Sequence, residues 1–170
     1  IVVIDSLNAA SGEGMLVMKA HDMMKEGKTI NEIAEEIEKL VPYSCSYFTV
    51  EQLKYLVRGG RLSKVSGMLG TLLNIKPILR VDDQGRLVAY KKVISRRKAI
   101  NELANICCEK IADTKYIFID HAVCQDDANK LATMLNEKLG VEPIITDLTQ
   151  VIGCHTGPGL LAVFFIGKEK

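Results

Sequence analysis

Two short segments carry residue types and spacings that could do chemistry. The first is Val57-Arg58-Gly59-Gly60-Arg61-Leu62-Ser63. Its paired glycines let the backbone turn with positive φ and approach a ligand closely, and Arg61 leaves the turn beside a new helix start at Ser63. A guanidinium next to free helix N–H groups suits a carboxylate or a phosphate. The same spacing also fits a plain helix–turn–helix connection whose arginine pairs with a neighbouring acid. No Gly-Lys-Ser/Thr follows the glycines and no three-glycine dinucleotide fingerprint is present, so a nucleotide loop is excluded. The second segment is Ile152-Gly153-Cys154-His155-Thr156-Gly157-Pro158-Gly159. Three glycines and a proline around one histidine predict a stiff loop over 153–159 with an exposed imidazole and accessible amides, suited to anion binding. A loop that needs glycine only in order to turn is the other reading.

The remaining candidates are weaker. Cys154 adjoins His155, and in an extended chain their side chains diverge, which argues against a shared metal. His121 and Cys124 stand three apart without a second ligand pair, and no metal site is expected. Cys107-Cys108 falls on a helix, where two small buried hydrophobes account for it. Ser6 and Ser11 flank a loop, but no Gly-x-Ser-x-Gly elbow surrounds any serine. Lys91, Lys92, Arg96, Arg97 and Lys98 form a basic cluster that is either a solvated surface or a dock for an acidic partner; with only Tyr90 to stack on a base, DNA and RNA are not expected partners.

The elements that must position these residues read as follows. Ile1 to Ile4 is a β-branched run expected to form a buried strand, Ser11 to Gly14 a loop, and Met15 to Glu26 a mostly buried helix stopped by Gly27. Thr29 and Glu32 make a capping box for a helix with apolar positions Ile30, Ile33, Ala34, Ile37 and Leu40. Tyr43 to Thr49 alternates as a strand; Thr49 with Gln52 offers a cap for a short helix through Val57 that ends at Gly59-Gly60. A helix from Ser63 to about Asn74 precedes a hairpin, with strands Ile75–Val81 and Arg86–Val93 about an Asp82–Gly85 turn. Ser95 is the expected cap of a helix to about Ala112. A strand over Tyr116–Asp120, a helix over Asp126–Leu139 closed by Gly140, a strand over Ile144–Leu148 and a last apolar strand complete the chain. A hairpin and the closing strands predict an α+β fold: a mixed or antiparallel sheet with helices packed against it, in one domain over 1–170.

At 170 residues with 48% apolar and 25% charged side chains, the chain holds one well-cored domain and is neither disordered nor low-complexity. Its longest apolar run, Leu160 to Ile166, falls well short of the ~20 residues of a bilayer span. No secretory leader is visible and five cysteines suggest no disulfide framework, so a cytoplasmic setting is expected. The net charge of +1 hides a dipolar layout. Lys54 to Lys98 carries 12 Lys/Arg against Asp82 and Asp83, while the remainder carries 10 against 19 acids. The middle segment either meets an anionic ligand or partner, or folds back onto acidic helices.

Taken in order, IDSLNAASGEG (Ile4–Gly14), LKYLVRGGRLS (Leu53–Ser63), LLNIKPIL (Leu72–Leu79), SRRKA (Ser95–Ala99) and IGCHTGPG (Ile152–Gly159) closely resemble the DegV family across the whole chain. The resemblance covers the C-terminal half to two-thirds of a family member, and the α/β domain expected before Ile1 is absent from this chain. It implies a protein that binds one long-chain fatty acid in a tunnel between two domains, uses no other cofactor, and acts in bacteria as the acyl-carrying subunit of a fatty acid kinase. It also implies that hydroxyl residues of the N-terminal domain hold most of the carboxylate. Arg61 and His155, with Gly60, Ser63, Gly157 and Gly159 around them, carry over as head-group residues, and Arg96 or Arg97 as part of the surface that meets the kinase. Such a module presents a substrate and is not itself an enzyme. Because half the tunnel is missing, apolar surface is expected along Met15–Met24 and near Leu72–Ile78. Two other readings stay open: a hydrolase or transferase pairing His155 with Ser6, Ser11 or Ser63, and an interaction module that uses the basic 54–98 segment to bind an acidic protein or nucleic acid.

Overall fold

Along the last strand, alternate side chains serve two different cores. Leu161, Val163 and Phe165 belong to one, and Ala162, Phe164 and Ile166 to the other. Such alternation is what a strand buried on both faces requires, since successive Cβ atoms point to opposite sides. The computed structural model describes residues 1–61 and 75–169. In chain order it runs α1 (Ser11–Lys25), α2 (Ile30–Leu40), a 3-10 turn (Val41–Tyr43), β1 (Ser44–Thr49), α3 (Lys54–Arg58), β2 (Ile75–Val81), β3 (Leu87–Ile94), α4 (Arg96–Lys110), β4 (Ile111–His121), α5 (Gln125–Leu139), β5 (Ile144–Asp147), α6 (Gln150–Thr156) and β6 (Leu161–Gly167).

The strands form one six-stranded sheet in the order β3-β2-β1-β6-β4-β5. All neighbours are antiparallel except β4 and β5, which run parallel and are joined through α5. The fold is α+β. Tyr47, Ile78, Ile119, Val163 and Phe165 face α4 and α5, while Phe48, Leu79, Phe118 and Phe164 face α1 and α2, so the sheet lies between two helical layers. Thr29 caps α2 through a complete box with Glu32, worth about 1 kcal/mol to the helix. Gly140 closes α5 in the left-handed conformation.

Several boundaries differ from the sequence pattern for local reasons. Ser11 to Gly14 is helical and not a loop: Gly12 presses on the Asn8 side chain, so its lack of a Cβ serves packing inside α1. Leu53 and not Thr49 is the N-cap of α3, because Thr49 is the last residue of β1, with a fully buried hydroxyl that has no partner among the described residues. Ser95 precedes α4 at φ 84°, outside the extended geometry a side-chain cap needs, and makes no capping bond. The predicted loop over 153–159 is mostly helix: α6 carries Gly153 within it, and only the stretch after Thr156 turns. The expected helix from Ser63 lies outside the described residues. The expected buried strand over Ile1–Ile4 does not form: these residues pair with no strand of the sheet, and Ile1, Val2 and Val3 are exposed. Met15 is fully buried against the sheet, leaving Val17, Met18 and Met24 as the exposed apolar side chains of α1.

Candidate functional site

The short helix α3 ends in a Schellman motif. Arg61 N–H donates to the Leu56 carbonyl at 2.9 Å and Gly60 N–H to the Val57 carbonyl at 3.0 Å. This closure needs a left-handed residue, which Gly60 supplies at φ 70°. Arg61 follows the turn exposed to solvent, with Nη1 folded back onto the Gly59 carbonyl at 2.6 Å.

The histidine segment reaches the same place from the other end of the chain. Gly157 stops α6 at φ 74°, and the Tyr55 ring of α3 fills the space where its side chain would be: a Cβ there would sit 2.2 Å from Tyr55 Cδ2. Reciprocally, His155 of α6 lies on Gly59, where a Cβ would sit 2.4 Å from the imidazole Nδ1. Thus each motif supplies a glycine notch and an aromatic ring to fill the other's. His155 is half-buried and not the exposed imidazole the glycine content predicted; its Nδ1 is buried without a polar partner among the described residues.

The loop after α6 is tied down on both sides. Gly159 N–H donates to the Ala122 carbonyl at 2.7 Å, and its own carbonyl accepts from Arg96 Nη1 at 2.8 Å. Arg96 also holds Asp127 through Nε at 2.8 Å and Cys124 Sγ through Nη2 at 3.4 Å. Burial raises the Asp127 pKa, but its bonds to Arg96 and Lys130 outweigh that, so the carboxyl lies below its usual range. Arg96 therefore points inward, whereas the neighbouring Arg97 is exposed.

Beside this junction, on the sheet face that carries α1 and α2, lies an apolar pocket of about 80 Å³. Phe48, Ala162 and Phe164 form its floor, Leu87 of the hairpin one wall, and Ile152 and Thr156 of α6 another. Polar groups at its edge are satisfied among themselves: Ser46 Oγ donates to Asn8 Oδ1 at 2.5 Å, and Asn8 Nδ2 donates to the Ser44 carbonyl and Oγ at 3.0 and 2.9 Å. Thr156 likewise bonds the Ile152 carbonyl at 3.1 Å. The lining therefore offers an apolar ligand surface with little competition from water. None of Met15, Met18, Met23 or Met24 lines it.

The structure thus brings the Gly59-Gly60-Arg61 turn to His155 and Gly157, with Ile152 and Thr156 of the same helix α6 lining the pocket, ties Gly159 to Arg96, and leaves Arg97 on the surface. Ser63 lies outside the described residues. The serines weighed against His155 are engaged elsewhere: Ser11 Oγ donates to Asp120 Oδ1 at 2.5 Å and Ser6 Oγ to the Asn8 carbonyl at 3.3 Å. His121 Nε2 pairs with Gln125 Oε1 at 2.8 Å, and among the described residues no group of three His, Cys, Asp or Glu could hold a metal. Nor is any helix among the described residues long and apolar enough to cross a membrane. Sequence reasoning missed the pocket floor; its one signal is the small residues Ser46 and Ala162 on a face otherwise built from Phe48 and Phe164.

The two glycine motifs thus meet where α3 packs on α6, and α6 also supplies Ile152 and Thr156 to the lining of the apolar pocket. Residues 1–168 match the model of the DegV family of uncharacterised proteins, and the chain belongs to that family. A DegV domain-containing protein of Clostridium perfringens is 42% identical over 173 residues, covering 100% of this chain and 60% of the relative. The crystal structure of a fatty acid binding DegV family protein from Streptococcus agalactiae superposes with a TM-score of 0.88 at 34% identity, covering 99% of this chain and 60% of that one. DegV, a fatty acid binding protein from Bacillus subtilis, gives a TM-score of 0.81 at 30% identity over 97% of this chain and 60% of its own. The chain therefore spans about three-fifths of the length of these relatives.

Proposed function

We propose that this chain binds a long-chain fatty acid, with Arg61 and His155 at the carboxylate and the apolar pocket against the alkyl chain. The observation that carries the reading is the convergence of the two glycine motifs on α6, a helix that also lines that pocket through Ile152 and Thr156, in a family whose solved members include fatty acid binding proteins. A guanidinium and an imidazole favour the ionised carboxylate. Each buried methylene contributes ~0.8 kcal/mol, so a long chain supplies gross affinity and the polar anchors set its direction. A pocket of about 80 Å³ is smaller than the ~150 Å³ cavity that accepts a benzene ring, so most of a long chain would lie outside it. A preceding α/β domain, which the resemblance implies, would supply the other wall of the tunnel and the hydroxyl groups at the head.

In this reading the protein is a carrier that presents its carboxylate to a fatty acid kinase, and the phosphoryl-transfer groups belong to the kinase. Of the two arginines, Arg97 is the better candidate for that contact, because Arg96 is occupied by Asp127, Cys124 and Gly159. The test is equilibrium binding of palmitate to the full-length protein and to its Arg61→Ala and His155→Ala variants. Tight binding weakened by either change supports the proposal; no binding by the unaltered protein refutes it.

A further inference from the structure

Adjacent glycines in the Gly59-Gly60-Arg61 turn have different reasons to be glycine. Gly60 lies at φ +70° with nothing within 4 Å of the place a Cβ would take, so its role is conformational. Gly59 has φ −76° and ψ −2°, which any residue can adopt. What excludes a side chain there is the His155 ring, with Nδ1 at 2.4 Å and Cγ at 3.2 Å from a Cβ, together with the Tyr55 carbonyl at 3.2 Å. The obstacle is a stiff ring packed against another helix and not the mobile end of a long side chain. The Gly59 carbonyl meanwhile accepts from Arg61 Nη1. One residue therefore touches both groups proposed for the carboxylate.

We infer that Gly59 is the positioning residue of the ligand-binding pair: the surface left by its missing side chain seats His155, and its carbonyl anchors Arg61. This inference rests on the fatty acid reading for its ligand, though not for the seat itself. The seat also selects which nitrogen can meet a ligand. Nδ1 is buried against Gly59 with no hydrogen-bond partner among the described residues, so Nε2 is the nitrogen left to donate to a carboxylate. An alanine at 59 must push the ring away by about 1 Å to restore ordinary contact, enough to break a hydrogen bond made by Nε2.

The experiment is a cycle of Gly59→Ala, His155→Ala and the double variant in the full-length protein. It reads palmitate affinity, thermal stability and the imidazole nitrogen resonances of the ligand-free protein. Gly59→Ala is expected to move the His155 resonances while leaving those of His21 and His121 in place, and to weaken palmitate binding about tenfold. In the His155→Ala background the same change should cost no further affinity and less thermal stability than it does alone. Unmoved His155 resonances, unchanged affinity, or an equal loss of affinity with and without His155 would each overturn the inference. Should Gly59→Ala fail to fold, a folded double variant supports the seat and an unfolded one refutes it. Should the unaltered protein not bind palmitate, the fatty acid reading fails, while the resonances and the stability cycle still decide the role of Gly59.

Discussion

Replacing Arg96 by alanine removes three contacts at once: Asp127 at 2.8 Å, the Gly159 carbonyl at 2.8 Å and Cys124 Sγ at 3.4 Å. Breaking a fully buried ion pair costs about 3–5 kcal/mol, and an exposed one about 0.2–1 kcal/mol. The Arg96 and Asp127 side chains are 19% and 21% exposed, which places the pair between these limits, and Asp127 keeps Lys130 at 3.2 Å. Losing the pair then costs about 1–2 kcal/mol, and the Gly159 carbonyl left without its donor adds about 1 kcal/mol. The sum, about 2–3 kcal/mol, lowers the urea midpoint by roughly 1 M at an m-value of about 2–3 kcal/mol/M. Arg97→Ala is the internal comparison: that side chain is exposed, and its removal should shift stability by less than about 0.5 kcal/mol. Because Arg96 holds the loop that follows His155, its loss should also weaken fatty acid retention, whereas Arg97→Ala should leave retention intact and lower phosphorylation of the bound acid by a kinase. Equal urea midpoints for the two variants would refute the assignment of Arg96 to the interior and Arg97 to the surface.

Three further outcomes follow from the same geometry. Gly157→Ala places a methyl against the Tyr55 ring at a left-handed φ of +74°, and should destabilise the protein by about 3 kcal/mol in urea denaturation; a neutral result would contradict the notch. Ala162→Leu extends into the pocket beside Phe48, so palmitate affinity should fall at least about tenfold with little loss of thermal stability, and undiminished binding would place the alkyl chain elsewhere. At the hairpin turn, the Arg86 side chain, aided by backbone N–H groups of Arg86 and Gln84, holds the Asp82 carboxyl at about 2 against an ordinary 3.8. A carboxyl depressed in the folded state stabilises fully above its unfolded pKa and loses that contribution as pH falls through the folded one. Asp82→Asn should therefore flatten the decline of the urea midpoint between about pH 4 and pH 2, and an unchanged acid limb would argue against the Asp82–Arg86 pair.

Local chemistry was readable wherever a few neighbouring residues decide the structure. Thr29 and Glu32 close a box four residues long, Gly140 ends a helix it adjoins, and the Asp82–Gly85 turn joins two alternating runs. Features decided across the chain were not readable. β4 begins at Ile111 because that residue pairs with Gly167 across an irregular register, which nothing near residue 111 announces. The glycines of 153–159 suggested a loop, yet α6 is stabilised by docking on α3, with Tyr55 in the Gly157 notch. His155 was identifiable as a candidate from its own segment and from the family pattern; its burial depends on Gly59, about a hundred residues away, and so could not be read from its neighbours. The pocket is likewise assembled from Asn8, Ser46, Leu87, Ile152 and Ala162, five separate stretches that share no motif.

Native mass spectrometry of the full-length protein purified from a bacterial host, followed by organic extraction of whatever it carries, tests fatty acid binding with the fewest intervening steps. One long-chain fatty acid per protein molecule is expected, lost or sharply reduced when Arg61 and His155 are both replaced by alanine. A protein that emerges empty and takes up no added long-chain fatty acid would contradict fatty acid binding.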